Sequence, residues 1–174
     1  MRFGLVLAVL LLSGCVLHSK TPIFTEADAV PILGHHAHSF AAYDSKDGVW
    51  VAMDDPTVRV IPVGRHYTVA DPTDVNPTRI DSYAFIPLDA ARYIVQASTQ
   101  GDPGADYAIA TWDGRELRVS PLDCDKLKTS LKTNALVGFL NQSCAPYPTA
   151  MPPLELFAKL ALRAGAPTLR LVRQ

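Results

Sequence analysis

The stretch Tyr107-Ala108-Ile109-Ala110-Thr111-Trp112-Asp113-Gly114-Arg115-Glu116-Leu117-Arg118-Val119-Ser120 consists of two alternating runs around a turn signal. Asp113-Gly114 suits a type I′ turn, in which both central residues take positive φ. Such a turn pairs Trp112 with Arg115, Ala110 with Leu117 and Ala108 with Val119, giving one apolar face. The opposite face pairs Tyr107 with Ser120, Ile109 with Arg118 and Thr111 with Glu116, and is mostly polar. A one-residue slip would mix the two faces, so turn and pattern support one another. The segment is predicted to be a β-hairpin.

The same pattern extends upstream. Short apolar and β-branched runs alternate with turn clusters from Phe40 to Pro121. Strands are expected near 38–43, 48–53, 57–62, 65–70, 82–87, 92–98, 106–112 and 115–120. The expected turns include Asp44-Ser45-Lys46-Asp47-Gly48, Asp54-Asp55-Pro56, Val63-Gly64, Leu88-Asp89-Ala90-Ala91 and Gly101-Asp102-Pro103-Gly104. Residues 71–79, with Pro72 and Pro77, read as a loop. Val60-Ile61-Pro62-Val63 before Tyr67, and Phe85-Ile86-Pro87-Leu88 before Tyr93, look like copies of one hairpin unit. Val119-Ser120-Pro121-Leu122 ends a strand in the same way, and Val30-Pro31-Ile32 reads as a degenerate first copy. Proline has no N–H to donate, so it ends a ladder.

After Pro121 the period changes. Leu127, Leu131, Ala135 and Phe139 recur at steps of four, with Leu136 and Leu140 beside them. That spacing predicts an amphipathic helix over 124–142, with Asp123 as N-cap. Pro152-Pro153 opens a second helix that Gly165 ends, with Leu154, Phe157, Ala158 and Ala161 as its inward stripe. Thr168 to Arg173 reads as a last strand. The expected class is α+β: an antiparallel sheet or open barrel of successive hairpins with C-terminal helices packed on it.

The chain begins with Met1-Arg2, a ten-residue run Phe3–Leu12 that is apolar apart from Gly4, and then Ser13-Gly14-Cys15. The run is too short to span a bilayer, which takes about 20 residues, but suits a signal-peptide core. Leu12-Ser13-Gly14-Cys15 resembles the lipobox of bacterial lipoproteins. The resemblance covers the leader alone. It implies a diacylglyceryl group on the Cys15 sulfur, cleavage before Cys15 and acylation of the new amine, palmitate being a typical chain. Each buried methylene contributes about 0.8 kcal/mol, so two or three chains anchor stably. In such lipoproteins an Asp directly after the cysteine signals inner-membrane retention. Here that position is Val16, which implies the outer membrane, facing the periplasm. The implied organisation is a signal peptide over 1–14, a lipidated tether over 15–21 and one globular domain over 22–174. That domain is β-rich over 38–121 and carries a helical cap over 122–165 and a last strand over 168–173.

There are three cysteines. With Cys15 lipidated in an oxidising compartment, Cys124 and Cys144 remain as a candidate disulfide pair. A continuous helix would hold them about 30 Å apart, whereas a disulfide needs Cα atoms within about 7 Å. Either the helix breaks, at Asn134 or Gly138, into two short helices folded back on each other, or the cysteines are unpaired. The break is the preferred reading.

Composition narrows the function. The chain has 174 residues, which supports one domain. An apolar fraction of 48% with a net charge of −1 excludes disorder as the main state. Lys plus Arg number 16 against 17 Asp plus Glu, with no basic run, so no nucleic-acid partner is expected. The candidate partners are the membrane through the lipid, an envelope protein and cell-wall material. His35-His36-Ala37-His38 is the one metal-like cluster. In an extended segment His36 and His38 share a face, and His66, Asp54 or Asp55 could add a third zinc or copper ligand. The competing reading is an exposed polar loop. Neither G-x-S-x-G nor H-E-x-x-H occurs. Asp54/Asp55 and Asp123/Asp125 suit turns and helix starts, so no residue is given a catalytic role. Trp50, Trp112, Tyr43, Tyr83, Tyr93 and Tyr107 are expected in strand packing, with an exposed glycan- or peptide-binding strip as the alternative. Two functions are carried forward. One is a lipid-anchored, non-catalytic binding or structural module. The other is a metal-binding or weakly enzymatic periplasmic protein using His35, His36, His38 and His66.

Overall fold

Period-two alternation gives each strand two distinct faces, and the structure buries both over much of the sheet. The computed structural model describes residues 16–70, 81–124, 127, 137–140, 143–146 and 151–174. Seven consecutive strands form an antiparallel meander: β2 (His38–Lys46), β3 (Val49–Val63), β4 (His66–Ala70), β5 (Asp81–Pro87), β6 (Arg92–Thr99), β7 (Ala105–Trp112) and β8 (Glu116–Pro121). The last strand, β11 (Leu169–Arg173), pairs antiparallel with both β8 and β2. That insertion closes an eight-stranded barrel. The antiparallel hairpins are as expected, but the sheet is closed, and the only complete α-helix among the described residues is α1 (Pro153–Ala161), beside a single 3-10 turn at Glu26–Asp28. The molecule is mainly β rather than α+β.

Three further strands lie outside the barrel. β8 pairs with β7 as far as Ala108↔Pro121, and β1 (Leu17–Ser19) takes over the same edge at Leu17↔Tyr107. Next to β1 runs β10 (Ser143–Pro146), in parallel, and β9 (Val137–Leu140) pairs with β10. The expected tether over 15–21 is therefore corrected from Val16, which already bridges to Asp123. Leu17 is fully buried, and its N–H donates to the Leu122 carbonyl at 3.3 Å. An apolar Leu next to an unpaired stretch of β7 edge gains more by joining the sheet than by staying in water.

The expected 124–142 helix is corrected over its last part. Leu127 N–H donates to Asp123 O at 2.9 Å, so a helical turn does start at Asp123. Residues 137–140, however, are strand, where Val137 and Phe139 suit a ladder and Gly138 weakens a helix. The return by a β9–β10 hairpin, rather than by a second helix, sets Cys144 opposite Leu17. Cys124 and Cys144 come to disulfide distance, with Cα atoms 5.8 Å apart. Residues 125–126, 128–136 and 141–142 of the expected helix lie outside the described residues. The helical cap over 122–165 is thus part strand.

Two turns differ from expectation. The 48–53 and 57–62 strands are one fifteen-residue strand, β3, running through Asp54-Asp55-Pro56. The register with β2 shifts between Ala41 and Tyr43, and β4 pairs only from Arg59 on, so Pro56 falls in a bulge where its missing N–H breaks no ladder bond. In the β7–β8 hairpin Trp112 faces Leu117 and Ala110 faces Val119, a two-residue shift from the expected register. Asp113 Oδ1 accepts from Arg115 N at 2.9 Å and from Glu116 N at 2.7 Å, which takes Arg115 out of the ladder. A shift of two preserves the faces. The turn with two positive φ values is instead Asp47-Gly48, at +52° and +79°.

Of the repeated units, the proline hairpins align: Pro62 faces Tyr67 and Pro87 faces Tyr93. Val30-Pro31-Ile32 is not a strand. Residues 71–79 lie outside the described residues.

Two cores result. The inner one fills the barrel with Phe40, Tyr67, Tyr83, Phe85, Leu117 and their neighbours. The outer one lies on the far face of β5–β7, where Ile86, Ile94, Tyr107 and Ile109 meet Leu17, Phe24, the two cysteines and α1. Phe157 wedges between Phe24 and Tyr107, with ring centroids 5.4 and 5.0 Å away. That wedge sets the rotation of the helix. Its buried residues are Leu156, Phe157, Leu160 and Ala161, while the expected stripe member Leu154 faces solvent.

Candidate functional site

Residues of one parity on each barrel strand point inward, and their sizes do not fill the lumen. A cavity of about 60 Å³ remains among Val60, Val69, Tyr83, Val95, Ala97, Ala108, Leu117, Val119 and Leu171. Small residues leave the space: Ala97 and Ala108 stand where Leu or Ile would fill it. The lining is almost wholly carbon.

One end of the lumen is stoppered. Leu33 sits in it, held by backbone bonds to polar groups of the wall. Its N–H donates to the Tyr67 hydroxyl at 3.0 Å, and that hydroxyl donates to Gly34 O at 3.0 Å. Arg173 Nη2 donates to Leu33 O at 2.5 Å, and its guanidinium lies over the rings of Trp112 and Phe40 at 5.4 and 5.9 Å. Burial pushes the Tyr67 hydroxyl above its ordinary pKa, only partly offset by its bonds to Leu33 and Gly34.

At the other end the cavity is lined by Asp106 and Thr168, both partly exposed. The Asp106 carboxylate is about one-third exposed and lies 2.9 Å from His18 Nδ1 on β1. Gly104 makes room for this contact: a Cβ there would sit 2.5 Å from His18 Cε1. On the same rim the β2–β3 hairpin continues past the barrel. Leu169, Asp44 and Val51 form one cross-strand row, so Val51 and Val49 extend the lumen-side face beyond the mouth. They are 40% and 64% exposed.

The N-terminal segment is fastened by a second tyrosine. Tyr107 hydroxyl accepts from Ile23 N at 2.9 Å, donates to Gln96 Oε1 at 3.2 Å and bonds Ser19 Oγ at 2.8 Å. Gln96 in turn exchanges two hydrogen bonds with the Phe24 backbone, at 3.0 and 3.1 Å. Burial raises the Tyr107 pKa, against the pull of Ser19 and Ile23.

The candidate metal residues do not converge. His35 and His36 are exposed. His38 begins β2 on the parity of Phe40, towards the lumen, whereas His66 adjoins inward Tyr67 and so faces outward. Burial, Arg173 and His36 together hold the His38 pKa below the ordinary histidine value. Asp54 lies in the long strand β3 rather than in a turn. Among the described residues no group of three or more His, Cys, Asp or Glu is placed to hold a metal ion. Cys15 lies outside the described residues.

The aromatic strip on the outer wall is already occupied. Arg170 lies over the Tyr43 and Trp50 rings at 5.4 and 6.0 Å and reaches Glu116 at 2.8 Å. Arg118 also bonds Glu116. Burial opposes the Glu116 charge, but the two guanidinium groups outweigh it and hold the carboxyl below its usual range.

The sequence reading missed the lumen, the His18–Asp106 contact and both tyrosine hubs. Only the alternation of small with large inward residues hinted at the first. The other features need pairings between residues up to 88 positions apart. Comparison with known protein families, with characterised proteins and with solved structures finds no match.

Proposed function

We propose that the chain is a lipid-anchored protein of the bacterial cell envelope, at the outer membrane facing the periplasm, and that its barrel is a non-catalytic binding module. The observation that carries the binding half is the preformed, carbon-lined lumen, stoppered by Leu33 at one end and bordered by partly exposed Asp106 and Thr168 at the other, since small-molecule sites are concave and mostly apolar. The anchoring half rests on Leu12-Ser13-Gly14-Cys15. The Cys124–Cys144 pair at disulfide distance suits an oxidising compartment. With β1 starting at Leu17, an anchor on Cys15 is followed by almost no spacer, so the barrel rides against the bilayer rather than reaching across the periplasm.

Labelling with a radioactive fatty acid tests the anchor. Wild-type protein is expected to incorporate label and to float with membranes, and Cys15→Ser to do neither. Equal labelling of the variant would remove the lipoprotein reading.

A further inference from the structure

The lumen is a feature that neither packing nor the disulfide clamp explains. It is enclosed by strands and its lining is almost wholly carbon, with the Tyr67 hydroxyl engaged at the stoppered end and Asp106 and Thr168 at the other. Resting on the binding-module reading above, we propose that the lumen takes a single alkyl chain, tail first, from an amphiphile with an uncharged, hydrogen-bond-donating head.

Size sets the chain. The cavity of about 60 Å³ exceeds the about 10–15 Å³ that one water-sized sphere needs. It therefore has room for several carbons in file, and an unbranched chain, the slimmest apolar guest, asks least of the walls. Polarity sets the orientation. Water would find almost no partners along Val95, Ala108, Leu117 and Val119, and a carbon-lined space of this kind stays dry and takes apolar guests. Leu33 stoppers the far end, so the chain enters beside Asp106 and Thr168. There a carboxylate and a hydroxyl can accept from an alcohol-type head, while a carboxylate or phosphate head would meet the Asp106 charge. Val49 and Val51 give the entry route an exposed apolar lip on the lumen-side face.

The probe is 1-octanol carrying a diazirine in its chain, applied to the full-length lipidated protein in phospholipid nanodiscs. After photolysis, peptides are mapped for label. Saturable labelling of lumen positions on β6, β7 and β8 is expected. Ala108→Phe should reduce it at least tenfold, and Thr111→Phe, on the outer wall of the same strand, should leave it unchanged. Should Ala108→Phe lose its cooperative melt, Ala97→Phe at the half-buried wall gives the same reading. Unlabelled octanol should compete at least tenfold better than octanoate. Label that rises without saturating, that collects on exterior residues such as Leu162, or that persists in a folded lumen-filled variant overturns the proposal. Equal competition by octanoate overturns the choice of head. Flotation of the same preparation and of Cys15→Ser reports the anchor separately. An anchored protein with no lumen label loses only the alkyl site, and a labelled protein that floats without Cys15 loses only the anchor.

Discussion

The two cores share three strands and differ in how completely they are filled. On the outer face of β5–β7, Ile86, Ile94, Tyr107 and Ile109 are covered by Leu17, Phe24, Cys124, Cys144 and Phe157, all essentially buried. On the inner face of the same strands, Phe85, Val95 and Ala108 border open space. Each core also pins part of the N-terminal segment through one tyrosine hydroxyl: Tyr107 holds Ser19 and Ile23, and Tyr67 holds Leu33 and Gly34. Both cores bury apolar area, and the inner one also borders the cavity.

The comparison is most strongly tested by truncation. Phe157→Ala is expected to cost about 3–5 kcal/mol, because its pocket is close-packed and cannot collapse. Val95→Ala, beside the existing cavity, should cost less than half as much in the same urea titration. Equal losses would break the contrast between the cores.

The cysteine pair clamps the outer core. Cys124→Ser and Cys144→Ser are each expected to lower stability by about 2–4 kcal/mol, with the double variant no worse than either alone. Thiol alkylation of the unreduced folded protein should find neither Cys124 nor Cys144 reactive, and two free thiols there would refute the bond.

The tyrosines sharpen the comparison further. Tyr107→Phe strands Ser19, Ile23 N–H and Gln96 in a buried site and should cost about 1–3 kcal/mol. Tyr67→Phe strands Leu33 N–H and a partly exposed carbonyl, and should cost about 1 kcal/mol. Chemical denaturation of both variants measures the order, and a reversed order would mean that the stopper matters more than the outer seam. Small-to-large changes should separate the cores in the same way: Ala108→Leu within about 1 kcal/mol of wild type, and Ala161→Leu worse by about 1–3 kcal/mol.

The smallest effect lies on the outer wall. The folded-state pKa of Glu116 is held below its ordinary value of 4.5, so its contribution is fully present above that value. The contribution falls away as pH drops through the lowered value. Melting temperature should accordingly fall more steeply below pH 4.5 in wild type than in Glu116→Gln, and parallel curves would show that the Arg118–Glu116–Arg170 cluster contributes nothing.

Much of the strand layout was readable because alternation and turn chemistry are local. Asp113-Gly114 and Leu88–Ala91 were found as turns, and the paired faces of the β7–β8 hairpin were right even though its register was off by two. The errors arose where a local preference met a distant partner. Asp54-Asp55-Pro56 has turn composition, yet β2 carries the strand through it as a bulge. Val137 to Leu140 fits a helical period, yet β10 offers a ladder. Of the candidate sites, the cysteine pair followed from counting, whereas the lumen did not. Its volume is the small residue left when eight walls of side chains meet.

The sequence by itself determined which barrel segments are extended and which of their faces are apolar, and its start resembles a lipobox leader. Each of these depends on residues within a few positions of one another or on simple counts. Only the tertiary structure decided that β11 closes the sheet between β8 and β2, that β1 joins β7 instead of tethering the domain, and that a cavity remains inside. Those outcomes depend on which edges meet between segments far apart in the chain and on how side chains from many strands sum in volume. Neither quantity is carried by a local pattern.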